Sequence, residues 1–246
     1  MLTIGLLPSA LKVGYYRWRG AKIGKGVIIG IGAVISSNDI EFGYGTTIGL
    51  LAIITCAKLK NGKRTIIRPF VLIDAQEISI GNDVTISEVG IIRTLIPNKQ
   101  SKIILYDRVH AFPFTVIDPS RKVEIREERC VGYGSSIYTY GSYNSKLDGY
   151  SVEIGEVNIG KGVSLSSDIF IFQSVTIGDE AVIGTGTLVG RDIPPGMLVV
   201  SAPAKLVKSN EQYMVIYTEQ EKFLILVDII EEFCQYLRDF AEITCQ

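Results

Sequence analysis

A chain of 246 residues has room for one domain with a buried core and a small appendage. Lys and Arg (25) nearly balance Asp and Glu (26), for a formal net charge of −1, so no basic stripe for nucleic acid is encoded. Mean hydropathy is +0.28, yet no apolar run approaches the ~20 residues that span a bilayer, which argues against a membrane-spanning protein.

Residues 1–20, MLTIGLLPSALKVGYYRWRG, are only briefly apolar and soon carry Lys12, Arg17 and Arg19. That is not a signal-peptide layout. Pro8 suits a first helical turn and Gly20 the position just past a last one, which predicts a short helix packed against the domain. The four cysteines, Cys56, Cys130, Cys234 and Cys245, are far apart and form no CxxC. They read as reduced thiols, small apolar fillers or exposed, in a cytoplasmic protein.

Residues 21–208 carry an internal repeat. From 159 the chain runs IGKGVS, LSSDIF, IFQSVT, IGDEAV, IGTGTL, VGRDIP. Each hexapeptide opens on Ile, Leu or Val, Gly follows at 160, 178, 184 and 190, and the fifth place is small or branched. A 3.6-residue helix cannot use a period of six, and a plain amphipathic strand would not carry the regular glycines. Short strands joined by tight turns satisfy both, with glycine taking backbone shapes that other residues resist. Three hexads make one turn of an all-β, parallel β-helix. The leading residues group as 23/29/35, 42/48/54, a poorly fitting Asn61 with 67/73, 80/86/92, 105/111/117, 125/131/137, 159/165/171 and 177/183/189, or about eight triangular coils. Steps longer than six follow 35, 73, 92, 117 and 137, always after the third hexad, so the insertions gather on one edge of the prism. In repeat folds such an edge is often the working one. The longest insertion, Ser142 to Val157, begins just after Tyr140.

Residues 209–246 leave the prism. YMVIYT looks strand-like, and Thr218 with Glu221 forms a capping box that opens a helix. The helix has an apolar stripe of Phe223, Val227, Ile230, Phe233, Leu237 and Phe240, expected to cover the prism or a neighbouring subunit.

The hexads resemble those of the bacterial transferase hexapeptide family of acyltransferases, over roughly residues 20–208. VNIGKGVSLSSDIFIFQSVTIGDEAVIGTGTLVGRDIPPGMLVVSAPAKLVK is similar to that family's C-terminal coils and Pro-Ala-Lys tail. SIYTYGSYNSKLDGYSVEIGEVNIG is similar to the loop region of its sugar and polysaccharide O-acetyltransferase branch. The resemblance implies a left-handed β-helix assembled as a homotrimer, with sites in the grooves between chains. It also implies acetyl-CoA as co-substrate along the later coils, a carbohydrate or other small hydroxyl or amine acceptor, and no metal. The γ-carbonic anhydrases share such a prism but hold zinc with three histidines, and this chain has one, His110.

The family places a histidine base at the start of the long loop, where this chain has Tyr140. A free tyrosine has a pKa of about 10, so roughly a thousandth of it is ionised at neutral pH. Two readings stand. In one the chain is an acetyltransferase working without a strong base, by holding the reactants together or by another group such as Asp148 in the loop. In the other it is a catalytically inactive trimeric scaffold or carbohydrate-binding protein in which Tyr140 packs or touches ligand. On the cofactor side the resemblance implies Ser166 beside the thioester channel and Thr185 against the pantetheine arm. It also implies Gly190 and Arg191, where a Thr-Lys pair is common, and Lys205 for the nucleotide phosphates.

Overall fold

The computed structural model describes residues 2–96, 98–141, 146–209 and 217–244. The chain divides into two units, Met1–Asn210 and Glu211–Gln246.

The first unit is a left-handed parallel β-solenoid with three faces. Its first face stacks eight strands from Lys22–Ile23 to Thr176–Ile177. The second stacks ten, from Ile28–Ile29 through Val182–Ile183 to Met197–Val200 and Lys205–Ser209. The third stacks eight, from Val34–Ser36 to Leu188–Val189. The register sets hexad leader on hexad leader: Ile23 opposite Phe42, Ile29 opposite Ile48 and Ile35 opposite Ile54. Further up, Ile125 stands opposite Ile159, Val131 opposite Leu165 and Ile137 opposite Ile171. These leaders form the core, with the small fifth-place residues such as Ala52, Val71 and Val163 filling the corners. Burying each large aliphatic side chain contributes about 1.5–3 kcal/mol before chain entropy is set against it.

All eight predicted triples are present, followed by a partial ninth turn. Ile193 bridges to Ile177, and Val199 pairs with Ile183. The hexad spacing hides that turn because Pro194 and Pro195 interrupt it. A seven-residue step after Ile54 joins the predicted insertions, masked in sequence by the polar leader Asn61. Asn61 nonetheless points inward, 2% exposed. Its Nδ2 donates to Thr46 Oγ1 at 2.9 Å, while its Oδ1 is buried without a partner. Leaving a buried acceptor unsatisfied costs about 1–3 kcal/mol. Asn61→Leu, matching Phe42 and Ile80 on either side, should therefore raise the melting temperature in a calorimetric scan by a few degrees, about 2–4 °C per kcal/mol.

The repeat glycines have a different cause from the one the sequence suggests. Gly160, Gly178, Gly184 and Gly190 are not in left-handed backbone. A Cβ on Gly178 would meet the Pro195 nitrogen at 2.5 Å, and one on Gly132 would run into the Ser166 carbonyl, so at these second places glycine is set by the close approach of the adjacent coil; Gly190 meets nothing nearer than Phe172 at 3.5 Å. Left-handed backbone falls two residues later, at the fourth place.

Two helices precede the coils, α1 (Leu2–Gly5) and α2 (Ser9–Trp18). Pro8 stands one residue before α2, and Gly20 follows its end with φ +92°. Lys12 is fully buried, and its Nζ donates to the carbonyls of Gly30 (2.5 Å) and Ala33 (3.2 Å). The Tyr16 hydroxyl donates to the Ile35 carbonyl at 3.1 Å and accepts from the Ile35 N–H at 3.0 Å. In this way α2 satisfies backbone groups of the first coil that would otherwise be an open sheet edge.

The second unit contains α3 (Glu219–Thr244). Its predicted capping box is formed: Glu221 N–H donates to Thr218 Oγ1 (3.3 Å), and Glu221 Oε2 accepts from Thr218 N–H (2.7 Å). That backbone hydrogen bond, with the hydroxyl, holds the Glu221 carboxyl below its ordinary value. Most of the YMVIYT segment, Cys245 and the side chain of Phe240 lie outside the described residues. Of the predicted stripe, Phe223, Ile230, Phe233 and Leu237 are exposed.

Candidate functional site

The three edges of the prism differ in chemistry. The edge from first to second face carries Arg64, Asp83, Arg108 and Glu128 at its fourth-place positions. Arg64 and Asp83 are paired at 2.6 Å, and Arg108 is paired with Glu128. The edge from second to third face has Leu51, Phe70, Val89 and Phe114 at the equivalent positions, all in left-handed backbone with φ between 54° and 62°. These four are 38–52% exposed. The third edge, from third face back to first, collects the excursions.

A buried polar cluster organises that third edge. Asp118 is 1% exposed. Its Oδ1 accepts from the Leu95 N–H (3.0 Å), the Ser120 N–H (3.0 Å) and the Ser120 hydroxyl (2.5 Å). Ser120 Oγ lies 3.0 Å from Thr94 Oγ1 and accepts from the Ile96 N–H at 3.1 Å. One coil later the buried Thr139 donates its hydroxyl to the Asp118 carbonyl at 2.8 Å and accepts the Arg121 N–H at 2.9 Å. The turns after coils four and five are thus tied to one carboxylate, and the turn after coil six to the main-chain carbonyl of the same residue. Sequence reading missed this cluster; the Asp118-Pro119-Ser120 turn was its one visible trace.

Tyr140 follows Thr139 directly, at the base of the long excursion. Tyr140–Gly141 pairs antiparallel with Glu153–Ile154, forming a neck in which Tyr140 stands opposite Ile154 and is half-buried. The neck rests on the next coil: Gln173 Nε2 donates to Glu153 Oε2 at 2.6 Å, and the Gly155 N–H donates to the Thr139 carbonyl at 3.0 Å. Where the chain rejoins the first face, Lys122 lies 3.1 Å from Glu124 and 3.2 Å from Glu156. The hydrogen bond to Glu124, against partial burial, holds the Lys122 ammonium above its ordinary value. Asp118→Ala would strand the buried Ser120 N–H and leave the Leu95 N–H only its bond to Ser120 Oγ, while the main-chain carbonyl that holds Thr139 stays, at a cost of about 1–3 kcal/mol. Urea denaturation should register that loss, and limited proteolysis should cut faster at 94–96 and 118–121 than at 139–141.

The remaining candidates fall on two edges. Asp148 ends the 3₁₀ turn Lys146–Asp148 within the excursion and is exposed. Ser166 and Thr185 stand on the second edge in consecutive coils, joined through the Ser166 N–H to Ile183 carbonyl bond at 3.0 Å and the Gly186 N–H to Ser167 carbonyl bond at 3.1 Å. The Ser166 carbonyl also accepts from the Ser135 hydroxyl at 3.1 Å. Gly190 and Arg191 return to the third edge, exposed. Arg191 Nη2 donates to the Ala204 carbonyl at 3.3 Å, which sets it beside exposed Lys205. His110 faces outward from the second face. A single chain therefore gathers Tyr140, Gly190 and Arg191 on one edge and Ser166 and Thr185 on another. Among the described residues no group of three His, Cys, Asp or Glu side chains is placed to hold a metal ion, and no helix is long and apolar enough to cross a membrane.

Solved structures repeat this architecture. UDP-N-acetylglucosamine acyltransferase of Campylobacter jejuni is 16% identical with a TM-score of 0.56, over 84% of this chain and 78% of that one. LpxA of Acinetobacter baumannii is 18% identical with a TM-score of 0.59, over 78% of this chain and 71% of that one. The fold is that of the hexapeptide-repeat acyltransferases. Sequence relatives of this hexapeptide-repeat chain are named as acetyltransferases. Galactoside O-acetyltransferase of Escherichia coli is 38% identical over 52 residues, 21% of this chain and 26% of that protein. YvoF of Bacillus subtilis, whose name assigns it to the acetyltransferases, is 30% identical over 91 residues, 37% of this chain and 50% of that protein. The chain spans half or less of the length of these curated relatives. No protein-family model matches it.

Proposed function

We propose that this chain is an acetyl-CoA-dependent O- or N-acetyltransferase for a sugar or other small acceptor, acting as a cytoplasmic homotrimer. The observation that carries the reading is the anchored neck at Tyr140. The fold's longest excursion is fixed by Thr139 and Asp118 on the edge that also bears Arg191. Kinship to galactoside O-acetyltransferase supports an acetyl donor and a hydroxyl acceptor. Exposed Arg191 and Lys205, neighbours through Ala204, suit the phosphates of acetyl-CoA. The Thr185 and Ser166 hydroxyls suit its amide-bearing arm.

The transfer joins the acceptor oxygen or nitrogen to the acetyl carbonyl carbon and breaks the carbon–sulfur bond. The acceptor's proton leaves, and coenzyme A departs as the thiol. Tyr140 stands at the acceptor side in this reading, orienting the nucleophile rather than removing its proton.

The trimer is supported by the contrast between edges. Left-handed backbone disfavours any residue with a Cβ by about 1–2 kcal/mol and is an outlier for a β-branched one. On the first edge the chain fills such positions with glycine or charge; on the second it fills four with exposed Leu, Phe and Val. An apolar ridge of that kind marks a surface made to be covered. A neighbour seated there would bring its own third edge towards Ser166 and Thr185 and so complete the site. The cytoplasmic assignment is supported by Cys56, Cys130 and Cys234, which are free.

The inactive-scaffold reading is favoured by one observation: among the described residues the Tyr140 hydroxyl makes no hydrogen bond to an acid or base that would activate it. Titration calorimetry with acetyl-CoA, paired with thiol release on a panel of mono- and disaccharides, separates the two. Binding with acceptor-dependent thiol release is the expected result. No detectable binding would leave the scaffold reading.

A further inference from the structure

Most apolar residues of helix α3 repeat at alternating steps of three and four, with Leu224 and Ile225 of the first turns outside that pattern. Phe223, Leu226, Ile230, Phe233 and Leu237 take the inner positions of a heptad. Val227, Ile229 and Cys234 flank them. Every acidic residue from Glu221 to Asp239 falls on the opposite side: Glu221, Asp228, Glu231, Glu232 and Asp239. A seam of that width, wider than the two-position stripe of a two-stranded coil, suits a bundle of more than two helices.

We infer that α3 is an assembly helix, which winds with α3 of two further copies of this chain into a parallel three-stranded coiled coil; the number of strands rests on the homotrimer reading above. Three observations select a second copy as the occupant. The first is area. Phe223, Leu226, Ile229, Ile230, Phe233 and Leu237 are 48–64% exposed. At roughly 100 Å² each they offer about 600 Å² per helix, or about 1,800 Å² over three copies: about 600 Å² for each of three pairwise contacts, which only a closed bundle adds up into one stable assembly. The second is charge. Identical helices in register would bring like charges together, but the acidic residues all lie away from the seam, so self-association meets no repulsion there. The third excludes a lipid surface: the polar side carries Asp228, Glu231, Glu232 and Asp239 against Arg238, whereas a helix lying on an anionic membrane presents a basic polar face.

The test uses the full chain with Cys130, Cys234 and Cys245 replaced by serine. Single cysteines are then placed on the seam (Ile230→Cys, Leu237→Cys) or opposite it (Asp228→Cys, Gln235→Cys). On mild oxidation, covalent dimers read on a non-reducing gel should form at least roughly tenfold faster from the two seam positions, where neighbouring thiols sit at high effective concentration. Adding Phe233→Glu to the Ile230→Cys chain should abolish that advantage. Equal rates from both sides, or no dimer from the seam, would overturn the inference. Native mass spectrometry on the same samples separates the two ideas: a trimer that persists without seam cross-linking removes the coiled coil and leaves the trimer standing.

Discussion

Tyr140→His should raise acceptor-dependent thiol release by at least about 100-fold, because a positioned general base contributes on the order of 10²–10⁴. The neck should hold the new side chain as it holds the old one. Residue 140 is fixed by backbone pairing to Ile154 and by Thr139 beneath it, neither of which involves the tyrosine ring. The imidazole titrates near about 6.5, so the variant's kcat/KM should gain an ascending limb there that the natural chain lacks. A rate increase without that limb would mean that the smaller side chain merely admits the acceptor better. No increase, with acetyl-CoA still bound, would mean that the groove no longer presents an acceptor to residue 140, and the scaffold reading would then hold.

The coils were legible because their signal is repeated. One inward aliphatic every six residues recurs through eight turns, and a single exception such as Asn61 does not blur it. Irregular places were read less well. The partial ninth turn hides behind Pro194 and Pro195, and the cause of the second-place glycines emerges only when one coil is laid on the next. The candidate site was legible as a position and not as chemistry. Insertion lengths led to the third edge, since they are additive along the chain, and the family resemblance led to Tyr140 at the start of the longest of them. The Asp118 cluster was not legible, because the donor that joins it to the preceding turn, the Leu95 N–H, is a backbone group 23 residues away and leaves no residue type to recognise. The second-edge ridge was visible all along as large apolar residues in fourth place. That this place is left-handed, on which the proposed reading of the ridge rests, was not legible and comes from the backbone, with a φ of 62° at Phe70.

Phe70→Asp combined with Phe114→Asp should separate assembly from folding on that ridge. Both residues sit in left-handed backbone, φ 62° and 61°, half exposed at 52% and 49%. Asp tolerates that conformation better than Phe, so the isolated chain should keep its melting temperature or gain slightly. Phe114 also packs at a tilt against Tyr133 of the next coil, 5.3 Å between ring centroids, which carries the ridge from one coil to the next. Burying two aromatic anchors at an interface is worth about 2–4 kcal/mol each, and a buried unpaired carboxylate adds a further penalty. The dissociation constant should therefore rise by about a thousandfold or more, seen in sedimentation velocity as a shift from trimer towards monomer, and as monomer at micromolar concentration once the α3 seam is also broken by Phe233→Glu. On the proposed trimeric reading acetyl transfer should vanish with the trimer, since Tyr140 and Thr185 occupy different edges of one chain and that reading has a neighbour bring them together. Arg64→Ala on the charged first edge should change neither quantity, because a fully solvated, salt-screened ion pair contributes little. A doubly substituted chain that sediments as a trimer and still transfers acetyl groups would show that the ridge faces no other copy, and that the site is built within one chain.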